Sequence, residues 1–272
     1  LNCSCEVSFS RWARAAAITL AAFVAVAVLP TLSYAQESTT LVQTQSAQRP
    51  ASLIDAWLSF PELASVEWPF AYLRADTTSA REQAKREDLF KEFDQLGWRL
   101  KSGPYRDLAG VIDTWRSRLS ETERYREPGD WSPAWLMAHP NQSPPLSRVA
   151  AIGACEPPSW VEVWDSSGID RLEWRSGLAL SDLSRRDGPL ELHGVDQVAV
   201  VTPAGAIEHH GQAAFNYSDT GVSPGTRVIA ALPLGGEAFP WIRDTIAHLL
   251  AHTPAGSACR ELNLVEEESR ND

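Results

Sequence analysis

Basic residues are scarce in this chain. Only 24 Lys and Arg stand against 35 Asp and Glu, a net charge of −11 over 272 residues, and the isoelectric point falls near 5.0. A surface of that sign repels phosphate backbones and anionic headgroups, which argues against general nucleic-acid binding and against electrostatic recruitment by lipid. Several motifs are also missing: no Walker loop, dinucleotide fingerprint or zinc-cysteine pattern occurs, and no carboxylate pair stands out as the acid and base of a glycosidase. No apolar run reaches the roughly twenty residues of a bilayer crossing. What is present describes a globular chain able to bury a core, with 44% hydrophobic and 22% charged residues and a mean hydropathy of −0.23. A length of 272 residues calls for two modest modules, or one with insertions.

The segment from Arg11 to Ala35 has the three parts of a secretory signal peptide: Arg11 and Arg14, an uncharged run from Ala15 to Leu29, then Pro30 with the small residues Ser33 and Ala35. An uncleaved anchor is the alternative, but the run is short for that and Ser33-Tyr-Ala35 suits cleavage. Because the chain opens on Leu1, residues 1 to about 10, with Cys3 and Cys5, are read as lying upstream of the true start and are given no function. Loss of residues 1–35 removes Arg11, Arg14 and Glu6 and leaves 22 basic and 34 acidic residues, a charge of −12 over 237 residues. The expected location is the periplasm, with no membrane span after cleavage. Only Cys155 and Cys259 then remain, and an even pair in an oxidising compartment is expected to be bridged; two buried thiols are the alternative. A loop of about 100 residues stabilises a fold by about 4–5 kcal/mol in the chain-entropy model.

Along the remaining chain, Thr40 to Thr44 reads as a short strand, and Ser52 caps a helix carrying Leu53, Ile54, Trp57 and Leu58 that stops at Pro61. Val66 to Leu73 is an extended aromatic segment. Residues 77–100 turn charged, with Leu89, Phe90, Phe93 and Leu96 on one face until Gly97. After Ser102-Gly-Pro104, a second helix carries Leu108, Val111, Ile112, Trp115 and Leu119, which makes an antiparallel helical hairpin. A proline-rich stretch over 128–147 and a strand at Arg148 to Ile152 lead to a joint at Pro157-Pro158. Beyond it come a hairpin of Trp160 to Trp164 with Leu172 to Trp174, a short helix around Leu178, Leu180 and Leu183, a strand from Gln197 to Thr202 returning at Ala206 to His209, and a strand from Thr226 to Leu232. The order β-β-α-β-β-β is that of a β-grasp, ubiquitin-like module. A last helix over 237–252 sets Phe239, Ile242, Ile246, Leu249 and Leu250 on its apolar side and Arg243, Asp244, His248 and His252 on the other, which is expected to face solvent. The tail from Glu261, with Glu266-Glu-Glu268 and Asp272, is expected to fray.

Three patterns bear on chemistry. Gly221-Val-Ser-Pro-Gly225 matches a nucleophile elbow around Ser223, but an elbow needs a strand before the serine and a helix after it, whereas here a polar loop precedes and a β-branched strand follows. His248 and His252 have zinc-gripping i, i+4 spacing without the glutamate of a metalloprotease, and Glu208-His209-His210 reads as an exposed strand end. Neither is assigned a metal, and no cofactor is expected. Of ten remaining tryptophans, Trp57, Trp115 and Trp241 lie on or beside apolar helical faces, while Trp131, Trp135 and Trp160 flank the proline-rich stretch, where a cleft for sugars would form.

Gln197-Val-Ala-Val-Val-Thr-Pro-Ala-Gly205, Ser223-Pro-Gly-Thr-Arg-Val-Ile229 and the last helix resemble the GfcC family of periplasmic capsule-biosynthesis proteins. Glu67-Trp-Pro-Phe-Ala-Tyr-Leu73 before a charged helix, and Pro144-Pro-Leu146 before the second domain, are similar to that family too, so the likeness spans about residues 50 to 255. The resemblance implies an α+β protein of tandem β-grasp domains akin to those of Wza-type polysaccharide exporters (SLBB-like), the first interrupted by a helical hairpin that braces the second, with an amphipathic C-terminal helix. The implied layout is a signal peptide over 1–35, a first domain over 36–157 with its hairpin at about 77–123, a second domain over 158–235, the helix over 236–253 and a tail over 254–272.

It also implies a non-enzymatic role in capsule or exopolysaccharide assembly and export, partnered by envelope export proteins and in part by the polysaccharide itself. A hydrolase acting through Ser223 or a histidine site, and a simple carbohydrate-binding module, are the alternatives. In that family a pocket arginine follows the second hairpin helix and precedes a proline by two positions; Arg126-Glu-Pro128 matches it, with Arg124 the next candidate. Its guanidinium is expected to fork onto a carboxylate, backbone carbonyls or an acidic sugar, or else to serve in a structural salt bridge. Two departures stand out. Only one strand, around Leu41, precedes the Ser52 helix where the family has a β-hairpin, and the Cys155–Cys259 pair is not a family feature; if bridged, it would pin the terminal helix.

Overall fold

The computed structural model describes residues 50–59, 66–75, 80–122, 126–184, 195–232 and 238–264. The expected signal peptide and the expected strand around Leu41, together with Pro61, Arg124 and the residues after Leu264, lie outside the described residues. Within them the protein is α+β, with two sheets and six α-helices.

The smaller sheet is antiparallel, in the order β1 (Ala71–Ala75), β2 (Val149–Glu156), β8 (Ser257–Asn263). Helices α1 (Leu53–Leu58) and α4 (Pro133–Ala138) cover it, placing Leu53, Trp57 and Leu136 against Leu73, Val149 and Ile152. Ser52 caps α1 as expected, its Oγ accepting the Asp55 N–H at 3.1 Å, but Leu58 is 72% exposed, so the apolar face is narrower than its spacing predicts.

The expectation of a frayed tail is corrected at Glu261. Residues 257–263 form β8 and pair with β2 from Ala151↔Asn263 to Glu156↔Ser257. Leu262 and Leu264 reach the apolar cluster of this sheet, while the charged and polar residues between belong to an edge strand, where such side chains are tolerated.

Helix α2 (Ala80–Lys101) extends past Gly97, because Leu100 continues the buried stripe of Leu89, Phe93 and Leu96. Helix α3 (Arg106–Glu121) returns antiparallel, and the exposed pairs Lys101–Asp113 and Arg116–Asp94, each at 3.0 Å, mark the register.

The larger sheet runs β4 (Gly168–Glu173), β3 (Trp160–Asp165), β7 (Arg227–Ala230), β5 (Gln197–Val201), β6 (Ile207–Gly211), with β3 and β7 parallel and the other neighbours antiparallel. Strands β5 and β7 carry the apolar runs Val198–Val201 and Val228–Ala230 because both of their faces are covered. Trp164, Ala199, Val201 and Ile229 face α2, α3 and α6 (Ala238–Ala251), whereas Val161, Val163, Val198, Val200 and Val228 face α5 (Leu180–Leu183) and Val222. The hairpin thus leaves the chain between two strands of the small sheet and buries its apolar stripe on the large one. No helix among the described residues is long and apolar enough to cross a membrane.

Cys155 and Cys259 are bridged, joining β2 to β8 across a sequence separation of 104. The bond closes the small sheet beyond α6, so that helix is held between two strands of different sheets. Mass spectrometry after alkylation without reductant should find neither cysteine labelled. Cys155→Ser/Cys259→Ser should lose up to about 4–5 kcal/mol in denaturant unfolding; two labelled thiols would contradict the bridge.

Candidate functional site

A buried polar layer lies where the hairpin, the large sheet and the end of α6 meet. Its deepest charge is Glu162 in β3, 1% exposed, on the same strand face as Trp160 and Trp164. Trp164 Nε1–H donates to Oε1 at 2.9 Å and Arg171 Nε–H to Oε2 at 2.9 Å. Arg118 of α3 and Arg227 of β7 approach at 3.5 and 3.7 Å. Burial pushes the Glu162 carboxyl upward, but the Arg227 charge, the Trp164 donor and Arg171 outweigh it and hold it below the ordinary 4.5.

Arg227 also donates to the carbonyls of Leu250, Thr253 and Pro254 at 3.2, 3.1 and 2.9 Å. It therefore satisfies the C-terminal end of α6, where a cation is favoured by the helix dipole. Arg171 lies over the Trp160 ring at 4.5 Å.

Arg126 lies in the connection between α3 and α4. It is 2% exposed, and its guanidinium forks onto the carbonyls of Pro203 and Ala204 in the β5–β6 turn. Of the partners expected for it, the backbone carbonyls are the ones it meets; no carboxylate pairs with it among the described residues. Burial, with the Arg227 charge added, lowers its pKa to about 10, which leaves it protonated at neutral pH. Gly129 N–H donates to Ala204 O at 3.0 Å, and Gly205 adopts φ +84° with no room for a Cβ, which would lie 2.7 Å from Ala251 O.

The second face of α6 is corrected as well. Three of its four polar residues meet protein instead of open solvent, Arg243 at β5, His248 at α2 and His252 at the Arg126 backbone, whereas the half-exposed Asp244 side chain still reaches solvent as expected. Arg243 is buried and donates to Gln197 O at 3.0 Å. His252, 5% exposed, is locked to Arg126 in both directions: Arg126 N–H donates to His252 O at 3.2 Å, and His252 Nδ1–H donates to Arg126 O at 3.0 Å. The rings of His248 and His252 meet edge to face with centroids 4.8 Å apart. His248 Nε2 closely contacts Glu82 Oε2 from the first turn of α2, and Lys85 Nζ lies 3.2 Å from Glu82 Oε1 and 3.4 Å from His248 Nε2. One ligand atom from each of Glu82, His248 and His252 falls within 4.8 Å of the others.

The remaining candidates stay apart. Ser223 sits exposed in the turn before β7, its carbonyl accepting from Thr226 N–H at 3.2 Å. His209 pairs with Asp244 at 3.1 Å and His210 with Glu208 at 3.1 Å, so the two rings serve different partners. Trp131 and Trp135 pack edge to face over the small sheet. A cavity of about 500 Å³ at the β4–α5 corner is lined by Leu172, Trp174, Arg175 and Leu178 among others, and Arg126 is not part of it.

Sequence reading missed Glu162, Arg227 and Glu82. Glu162 did leave a signal, a carboxylate in step with two tryptophans on one strand face. Glu82 left none, since its partner lies 166 residues away. Comparison with protein-family models and with curated proteins gives no match.

Glu162→Gln should destabilise the fold by about 3–5 kcal/mol at neutral pH, the usual loss when one side of a buried ion pair is removed. Because the folded pKa is depressed, the stabilisation is present above 4.5 and fades as pH falls below it. The gap between wild type and variant in urea unfolding should therefore narrow in acid; a constant gap would refute the assignment.

Proposed function

We propose that this protein is a non-enzymatic periplasmic accessory of capsule or exopolysaccharide assembly and export, of the GfcC type, working through contacts with envelope export proteins. The observation that carries the reading is the path of the chain: a helical hairpin leaves the small sheet, packs on the large sheet beside α6, and returns at an arginine two residues before a proline, Arg126-Glu-Pro128. The large sheet supports the β-grasp assignment of the second domain. Counted within that sheet its strand order is second, first, fifth, third, fourth, with the first and fifth parallel and a short helix after the first hairpin. The small sheet, completed by β8, is the corresponding part of the first β-grasp domain in this reading.

The apolar leader and the Cys155–Cys259 bridge support an oxidising compartment. The buried, carbonyl-bound guanidinium of Arg126 favours a bracing role over direct sugar contact. Ser223 sits in a turn that leads into strand β7 where a nucleophile elbow has a helix, which supports reading the motif as a turn.

Deleting the gene and measuring surface polysaccharide tests the proposal. Loss of surface polymer is expected, restored in full by wild type and by Ser223→Ala. Arg126→Ala should restore less and should unfold more readily, by about 1.5–3 kcal/mol for a lost charged hydrogen bond. Unchanged polysaccharide in the deletion strain would refute an export role, and failure of a folded Ser223→Ala protein would refute the non-enzymatic one.

A further inference from the structure

We propose that Glu82, His248 and His252 form a binding site for a divalent cation of the zinc class, which clamps the first hairpin helix to the terminal helix. The inference does not depend on the export reading. It revises the expectation that the chain holds no metal.

Three observations carry it. First, the donor set is right for such an ion: two imidazoles and one carboxylate, brought by two helices to within 4.8 Å of one another. Ligands about 2.1 Å from a tetrahedral zinc lie about 3.4 Å apart, so closure needs only side-chain adjustment. His248 lies in the last turn of α6 and His252 four residues on, just past the helix end, and Glu82 is delivered from the first turn of α2.

Second, the ring of His252 is already oriented. Its Nδ1–H donates to the Arg126 carbonyl at 3.0 Å, and a carbonyl can only accept. That bond places a hydrogen on Nδ1, so in the neutral ring the lone pair lies on Nε2, the outer-sphere arrangement typical of metal-bound histidines.

Third, His248 Nε2 faces a conflict that a divalent cation removes. The nitrogen meets both the Glu82 carboxylate, an acceptor only, and the Lys85 ammonium, a donor only. With a proton it suits Glu82 and repels Lys85; without one, the preference reverses. A divalent ion lets the lone pair and the carboxylate point at the same charge. The side chain of Lys85 is 37% exposed, so its ammonium can swing into solvent as the ion enters. Three protein ligands leave the remaining coordination to water. Since the protein ligands come from both α2 and α6, the bound ion would hold the two helices together.

The test is titration of the chelator-stripped protein with zinc chloride by calorimetry, with thermal unfolding followed in parallel and Co²⁺ absorption reporting the ligand field. One ion per chain and a raised Tm are expected. Glu82→Gln and His248→Gln should each weaken binding roughly tenfold or more, while His210→Gln should leave it unchanged. Lys85→Ala, which removes the competing ammonium and does not depend on a ligand variant folding, should tighten it. No binding, binding equal in wild type and both ligand variants, loss of binding in His210→Gln, or unchanged or weaker affinity in Lys85→Ala would each overturn the proposal.

Discussion

A carboxylate leaves water only where cations and donors replace the solvent it loses, and Glu162 imposes that condition at the heart of the larger sheet. Its three arginines come from a hairpin helix, a β-hairpin strand and the parallel central strand, so meeting the requirement sets those elements against one another. Arg227 extends the constraint, because its other donors fall on the Leu250 carbonyl in the last turn of α6 and on the Thr253 and Pro254 carbonyls just beyond it. The residue just beyond that helix, His252, then holds Arg126, which in turn grips the β5–β6 turn. One buried anion is thus linked by successive polar contacts to the hairpin, the terminal helix and the returning loop.

The apolar packing follows the same plan. A five-stranded sheet of which both faces are apolar needs two covers, and the covers come from different places in the chain. One is the local helix α5; the other is a pair of helices inserted far upstream together with α6 from downstream. The small sheet is likewise completed from afar, since β8 reaches it only after the whole large sheet and α6 have been traversed. The two sheets are therefore interlaced along the chain, and the Cys155–Cys259 bond fastens the strand that closes the interlacing.

Much of the element plan was legible in the sequence. The hairpin helices announced themselves through Leu89, Phe93, Val111, Ile112 and Trp115, and the large sheet through the alternation of Trp160 to Trp164 and the apolar run from Gln197 to Val201. These are properties of a few consecutive residues, and a period of 3.6 or 2 is readable wherever one face is buried. Boundaries were less secure: Gly97 lies inside α2 because Leu100 still has a surface to bury on. Strand β8 was hidden, since an edge strand pairs through its backbone and gives little pattern to its side chains.

The candidate site was legible only in part. The i, i+4 spacing of His248 and His252 was plain, but Glu82 was not a foreseeable neighbour, and the same helical face looked solvent-bound. Whether a polar face meets water or another helix depends on what folds over it, and here α2 folds over it from 166 residues away. By itself the sequence determined the kind and order of most of the elements, the sign of the net charge and the two cysteines beyond residue 5. Tertiary structure alone decided the surroundings of Glu162, Arg126, Glu82 and His252. Periodicity is a local property, whereas the burial of a charge is set by distant segments brought together in the fold.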